Sequence, residues 1–279
     1  MISNVGVLRH PKIVETNQVA QQVDDKLREW GVQAHQVSTW DTAAVEAIID
    51  KLDLLVVLGG DGSTLRAARI ASGHGVPVTS INMGRLGFLS EMQPDNWEGA
   101  LQHMVAGEYW VEERMMLRTK AYRDSTSFIA RDALNDVVVS RGTLARMVRV
   151  RTSVDGSVLT TYTCDGLIVA TATGSTAYAL AAGGPILPPL LKNIVLVPIA
   201  PHLSLDKPMV LSQGSVVEMV VSTDHQAILT NDGQEEMTLR SGDRVVVQAS
   251  PNVARFARVR PMNYFYQTMM SRLKPGPCE

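Results

Sequence analysis

The chain has 279 residues, 45% hydrophobic and 19% charged, enough to bury about two domain cores without disulfide or metal staples, and too apolar for a charge-driven disordered chain. With 26 Lys and Arg against 28 Asp and Glu the net charge is −2, which excludes a broad basic face for nucleic acid. Two cysteines, Cys164 and Cys278, make no disulfide framework and lack zinc-ligand spacing, and neither a signal peptide nor an apolar run of about 18 residues is present, so the expectation is a cytoplasmic protein without membrane contact.

An apolar start at residues 5–8 reads as a strand. Val19, Val23, Leu27 and Trp30 then fall at helical spacing in a helix expected over 17–30, which Gly31 ends. A second helix near 42–52 leads into Leu54-Leu55-Val56-Val57-Leu58, a continuous apolar run typical of a strand buried on both faces. Gly59-Gly60-Asp61-Gly62-Ser63 follows at once, then a helix over 64–71 and a strand over 76–81. This alternation predicts an α/β, Rossmann-like domain with a parallel sheet over residues 1–110.

Beyond residue 110 the pattern changes to short strands, expected at 128–130, 137–140, 148–154, 158–162, 167–170, 194–197, 216–221, 226–229 and 244–248. Asp155-Gly156 supplies a hairpin turn, and one helix is expected near 175–182. The reading is a mostly-β domain over 111–260. Residues 111–151 hold 9 Lys and Arg against 5 Asp and Glu; this basic stretch either serves anionic ligands or lines the wet face of a sheet. A last helix over 263–273, with Met262, Phe265, Met269 and Leu273 on one stripe, is expected to dock back on the first domain, leaving a frayed tail at 274–279.

The pentapeptide Gly59-Gly60-Asp61-Gly62-Ser63 lies at the carboxyl edge of the expected sheet, where open α/β folds bind ligands. Glycines let a phosphate approach the backbone, the N–H groups of the next helix favour its charge, and Ser63 fits an N-cap. The motif lacks the terminal Lys-Ser/Thr of a P-loop and the spacing of a dinucleotide fingerprint. The alternative is a tight turn with Asp61 solvated. A second cluster, Asp165-Gly166 followed by residues 171–178, runs from a strand through a Gly/Ser/Thr turn into a helix. It reads as another anion or ribose site, with Tyr178 offering its face to a base, or as an ordinary capped helix. His202 reads as a structural group rather than a ligand, and no spacing argues for a bound transition metal.

Taken in order, these motifs carry a resemblance. They are Gly59-Gly60-Asp61-Gly62-Ser63, Asn82-Met83-Gly84-Arg85-Leu86-Gly87-Phe88-Leu89, Leu134-Asn135-Asp136, Asp165-Gly166 through Tyr178, Gly183-Gly184-Pro185-Ile186, Pro198-Ile199-Ala200-Pro201-His202 and Asp232-Gly233-Gln234. The set resembles the NAD kinase family over nearly the whole chain. Two positions depart from it: the family usually has Glu where Asp136 stands and Pro where Ala172 stands.

The resemblance implies transfer of the γ-phosphoryl of ATP to the 2′-hydroxyl of the adenosine ribose of NAD, giving NADP and ADP. Mg²⁺ would enter with ATP, with no tightly bound cofactor. It implies that Asp61 is the catalytic residue at that hydroxyl and that Gly59, Gly60, Gly62 and Ser63 form a phosphate loop. Gly62 would approach NAD, Asn135 and Asp136 would hold its adenine and ribose side, and Asp165 would meet the nicotinamide end or a neighbouring subunit's ligand. Thr176, Ala177, Tyr178 and Ala181 would line the nucleotide pocket. Arg66, Arg146 and Gln234 join the NAD-binding set, Arg66 being equally a surface residue, and Phe88 either packs over substrate or anchors its loop. The mostly-β half would form the NAD pocket and the contacts of a homodimer or homotetramer. Two competing readings are a lipid or sugar kinase sharing only the glycine-rich loop and a catalytically weak nucleotide-binding sensor that keeps the pocket but regulates a partner. The lack of an amphipathic anchor argues against the lipid kinase, and Asp61 argues against the sensor.

Overall fold

The computed structural model describes residues 2–84, 87–142, 146–203 and 205–273. Arg85 and Leu86 of the 82–89 motif and the expected frayed tail lie outside the described residues. The chain forms two compact units, Met1–Glu113 with Ala254–Glu279, and Arg114–Val253.

The first unit alternates β1 (Asn4–Arg9), α1 (Glu15–Glu29), β2 (Gln33–Ser38), α2 (Thr42–Glu46), β3 (Leu54–Gly59), α3 (Asp61–Ser72), β4 (Val78–Asn82) and α4 (Trp97–Val105). Its strands pair in parallel in the order β2-β1-β3-β4. Every residue of β3 is buried, as its unbroken apolar run requires. α1 turns Ala20, Val23 and Leu27 onto this sheet and ends where Gly31 takes φ 75°, a left-handed conformation that glycine adopts without steric cost. The helix expected over 42–52 divides into α2, capped by the Asp41 carboxylate accepting the Ala44 N–H at 3.0 Å, and a 3₁₀ turn at Ile49–Lys51.

The second unit is built from β5 (Trp110–Arg123), which starts in the first unit, β6 (Thr126–Ala133), β7 (Asp136–Arg141), β8 (Val148–Val154), β9 (Ser157–Cys164), β10 (Gly166–Thr171), α5 (Tyr178–Ala181), β11 (Ile194–Ile199), β12 (Met209–Leu211), β13 (Val217–Ser222), β14 (Ala227–Asn231), β15 (Glu235–Leu239) and β16 (Arg244–Arg258). Six strands form an antiparallel sheet in the order β12-β11-β10-β7-β14-β15. Alternate residues of β7, β10 and β11 enter two different cores. Val137, Val139, Leu167 and Val169 join the main one, whereas Val138, Ile168, Ala170 and Val195 pack with Ala179 of α5 on the other face.

The first unit regains the chain at Ala254, seven residues before the expected return at 261, because β16 is one strand through both units. Its Phe256 pairs with Val78 of β4, and Ala257 joins the first core. The last helix, α6 (Tyr264–Leu273), buries Tyr264, Phe265 and Arg272. The stripe expected from sequence therefore needs correction. Phe265 faces inward, but Met262 is 68% exposed, and the Leu273 side chain lies outside the described residues. No helix among the described residues is long and apolar enough to cross a membrane.

Candidate active site

β3 turns directly into α3. Gly60 is the N-cap, its carbonyl accepting the N–H groups of Ser63 and Thr64 at 3.1 and 3.2 Å. A Cβ on Gly59 would stand 2.7 Å from Ser63 Oγ, so the abrupt junction needs glycine there. Ser63 is buried in the first turn and is not the N-cap its residue type suggested. Asp61 opens the helix, where the macrodipole favours negative charge, and Arg66 lies half-buried farther along α3.

The carboxylate of Asp61 is held by the segment after β4. Oδ2 accepts the Phe88 N–H at 2.9 Å, and Oδ1 accepts the Leu89 N–H at 3.3 Å and the Ser90 hydroxyl at 3.5 Å. Gly87 permits this approach, since a Cβ there would overlap both carboxylate oxygens. An ionised carboxylate has about four lone-pair sites, so acceptor capacity remains for a substrate hydroxyl. The Phe88 ring packs against Phe265, centroids 6.2 Å apart, which favours the loop-anchor reading of Phe88.

In the second unit Asn135 and Asp136 lie on a segment gripped from several sides. Asp232, in a turn at φ 52°, accepts the N–H groups of Leu134, Asn135 and Asp136 at 3.0, 2.7 and 3.1 Å. Its own N–H donates to the Asp136 carbonyl at 2.9 Å, and Thr171 Oγ1 donates to that of Leu134 at 2.6 Å. Gly174 backs onto this segment so closely that a Cβ would overlap the Asn135 carbonyl. The Asp136 side chain is buried; that burial, and then the charge of Asp232, push its carboxyl up to about 7.

The turn after β10 differs from the sequence reading. Its hydroxyls serve the local backbone: Ser175 Oγ donates to Ala172 O at 2.7 Å and Thr176 Oγ1 to Thr173 O at 3.1 Å. A 3₁₀ turn at Gly174–Thr176 and the four-residue α5 replace the helix expected over 175–182, so this turn presents no full helix N-terminus to an anion. Ala177 joins the two pieces, Tyr178 begins α5 with 49% of its surface exposed, and Ala181 closes it.

The remaining expected residues are scattered within the second unit. Asp165 Oδ1 already lies 2.9 Å from the Arg141 guanidinium. The Gln234 N–H donates to Asn231 O in the β14–β15 turn. Arg146 lines an open cleft with Arg149, Thr163, Thr223 and His225. His202 is exposed, and its backbone N–H donates to Thr163 O. Among the described residues no group of three or more His, Cys, Asp or Glu side chains is placed to hold a metal ion.

Asp61 with Ser90 and the 87–89 backbone, and Asn135 with Asp136 around Asp232, are the two constellations that the fold assembles. Asp232, Ser90 and Gly87 hold these two constellations without standing among the expected site residues; the only signal of them in the sequence is that Asp232-Gly233 and Gly87-Phe88 belong to motifs of the resemblance. The glycine-capped strand-to-helix turn with its immobilised carboxylate lies within a stretch of the chain that a known family matches. The ATP-NAD kinase N-terminal domain model matches residues 10–109, and the ATP-NAD kinase C-terminal domain model matches residues 134–259. The chain belongs to the ATP-NAD kinase family.

Its curated relatives agree. The chain is 42% identical over 274 residues to the NAD kinase of Chloroflexus aurantiacus, covering 98% of this chain and 99% of the relative. It is 45% identical over 216 residues to that of Heliobacterium modesticaldum, covering 77% and 76%. Among solved structures, the NAD kinase of Archaeoglobus fulgidus in complex with ATP superposes with a TM-score of 0.80 at 28% identity, covering 98% of this chain and 100% of that one. Yeast NADH kinase complexed with NADH shares the fold, with a TM-score of 0.84 at 23% identity, covering 100% and 90%. This member of the family is an enzyme, a kinase of α/β plus mostly-β architecture.

Proposed function

We propose that Asp61 carries the reaction of this NAD kinase. The enzyme phosphorylates the 2′-hydroxyl of the adenosine ribose of NAD with ATP, giving NADP and ADP. The observation that carries the assignment is the Asp61 carboxylate, fixed at the first position of α3 by the N–H groups of Phe88 and Leu89. Phosphoryl transfer passes through a loose transition state with little early need to deprotonate the nucleophile, and carboxylates are weak bases beside an alcohol. Asp61 therefore acts first by accepting the hydroxyl's hydrogen bond and aligning its oxygen, and takes the proton as the new P–O bond forms.

The phosphates of ATP are assigned to the Gly59, Gly60, Gly62 and Ser63 loop, where glycines allow close backbone approach. Mg²⁺ enters as part of Mg–ATP, held chiefly by the phosphates. Asn135 and Asp136 take the adenine and ribose side of NAD, with Thr176, Ala177, Tyr178 and Ala181 along the nucleotide. Arg66, Arg146, Asp165 and Gln234 complete the set. Asp165 is ion-paired with Arg141, so it contributes as part of that pair. The enzyme is assigned to the cytoplasm as a homodimer or homotetramer, with subunit contacts through the mostly-β part. Light scattering over a dilution series reads that state.

The function is tested with the purified full chain, NAD and Mg–ATP, in parallel with inorganic polyphosphate as donor and NADH as acceptor. ATP-dependent appearance of a 2′-phosphorylated dinucleotide is expected. Its absence with every donor and acceptor would contradict the assignment.

A further inference from the structure

A second set of buried charges lies behind the segment that holds Asp61. Fully buried Arg258 donates from Nε to Glu112 at 2.8 Å and from Nη1 to Glu91 at 3.1 Å and Leu89 O at 3.0 Å. Glu91 Oε1 accepts the N–H groups of Val259 and Arg260 at 3.0 and 2.9 Å, and the Tyr264 hydroxyl donates to Glu112 at 3.1 Å. Arg258 is thus a neutralised structural group. Burial would depress its guanidinium, but Tyr264, Glu112 and Glu91 outweigh that and hold it above its ordinary value.

Arg272 on α6 is different. It is 8% exposed, and its hydrogen bonds go to carbonyls: Nη1 donates to Phe88 O and Nη2 to Ser90 O, each at 3.4 Å. The rings of Phe88 and Tyr264 flank its guanidinium, each with its centroid 5.6 Å away. Removing a guanidinium from water without a paired carboxylate is costly. Burial accordingly pushes it down to about 10; Tyr264 opposes this, Arg260 and Arg258 add to it, and the charge of Asp61 favours the cation.

The placement of these bonds gives Arg272 a use. The Phe88 carbonyl and the Leu89 N–H belong to one peptide group. Arg272 donates to its oxygen, and its N–H donates to Asp61 Oδ1. A peptide bonded at both ends is polarised along that line and held against rotation about its flanking bonds. Ser90 repeats the pattern, with its carbonyl on Arg272 and its hydroxyl directed at Asp61.

We propose that Arg272 is a positioning residue for phosphoryl transfer, fixing the Phe88–Ser90 backbone whose donors orient the Asp61 carboxylate. The inference rests on the reading of Asp61 as the residue at the reacting hydroxyl. It is tested by a double-mutant cycle: Arg272→Gln and Arg272→Lys, each made in the wild-type and Asp61→Asn backgrounds, with kcat and both KM values measured and folding checked by thermal melting. Arg272→Gln is expected to lower kcat by about 10-fold or more with KM for NAD and Mg–ATP within about twofold, and Arg272→Lys, which keeps the charge, to fall between. In the Asp61→Asn background the further loss should shrink below about twofold, since coupled residues do not add.

Equal losses in both backgrounds would overturn the proposal and leave Arg272 a structural group, as would folded variants with unchanged kcat. If Arg272→Gln does not fold, Arg272→Lys decides the question by the same criteria. Normal turnover in Asp61→Asn alone would instead mark failure of the Asp61 reading and remove the basis of this proposal.

Discussion

The N–H of Phe88 points at the carboxylate of Asp61 across 2.9 Å, although 27 positions separate the two residues in the chain. The glycine-rich turn and the 82–89 motif are therefore halves of one arrangement, one presenting the carboxylate and the other fixing its rotation.

Gly87 makes that closeness possible, since any Cβ there would overlap the Asp61 carboxylate. Gly87→Ala is expected to lower kcat by at least about 10-fold while leaving the melting temperature close to wild type, as a misplacement of about 1 Å at a reacting group costs up to about 10²-fold. Steady-state kinetics beside a melting curve check this; unchanged kcat would mean that Asp61 need not be held as described.

Asp232 accepts three backbone N–H groups at the start of β7. Asp232→Ala strands those donors, and a loss of about 2–4 kcal/mol of stability is expected from their number and the charge of their acceptor. Urea unfolding measures it, and a loss below about 1 kcal/mol would show that water replaces the carboxylate.

Some of this was legible in the chain and some was not. The buried β3 and the inward face of α1 follow from local patterns, a continuous apolar run and a helical period. β2 (Gln33–Ser38) went unread because none of its residues is buried, which leaves no apolar alternation to see. The helix expected over 175–182 is broken at Ala177, whose φ −103° and ψ −129° are not helical, and the segment ahead of it is pressed against Asn135 at Gly174, a long-range contact that local spacing does not reveal. Arg272 follows Phe265 by seven residues and so shares its inward face of α6, but a charged side chain there gives no apolar signal of burial. It is buried because carbonyls 182 and 184 positions away receive it, and such long-range partners leave no mark on local spacing. The Asp61 site was legible as a motif; the groups that hold it were not.

Asp136 makes stability depend on pH. Its carboxyl, ordinarily at 3.8, is pushed up to about 7 in the folded protein, so between those values the native state holds a proton that the unfolded chain has lost. Stability from this group is greatest below about pH 4 and falls as pH rises to about 7, by on the order of 2–4 kcal/mol. Asp136→Asn removes the titration, so its melting temperature relative to wild type should rise from pH 5 to pH 8. A pH-independent difference would contradict the raised value.

Tyr178, half exposed at the start of α5, is assigned to the nucleotide. Tyr178→Ala should weaken NAD binding by about 1–3 kcal/mol, the usual loss when a ring stacked on a base is removed. Unchanged affinity by titration calorimetry in a folded variant would place the dinucleotide elsewhere.

The central claim is that Asp61 acts at the 2′-hydroxyl in the transition state, and Asp61→Asn tests it most directly. The substitution keeps the size of the side chain and removes its charge. With NAD and Mg–ATP, kcat is expected to fall by at least about 10²-fold while the dissociation constant for NAD stays within about twofold of wild type. A variant that binds NAD normally and still turns over near the wild-type rate would contradict the account.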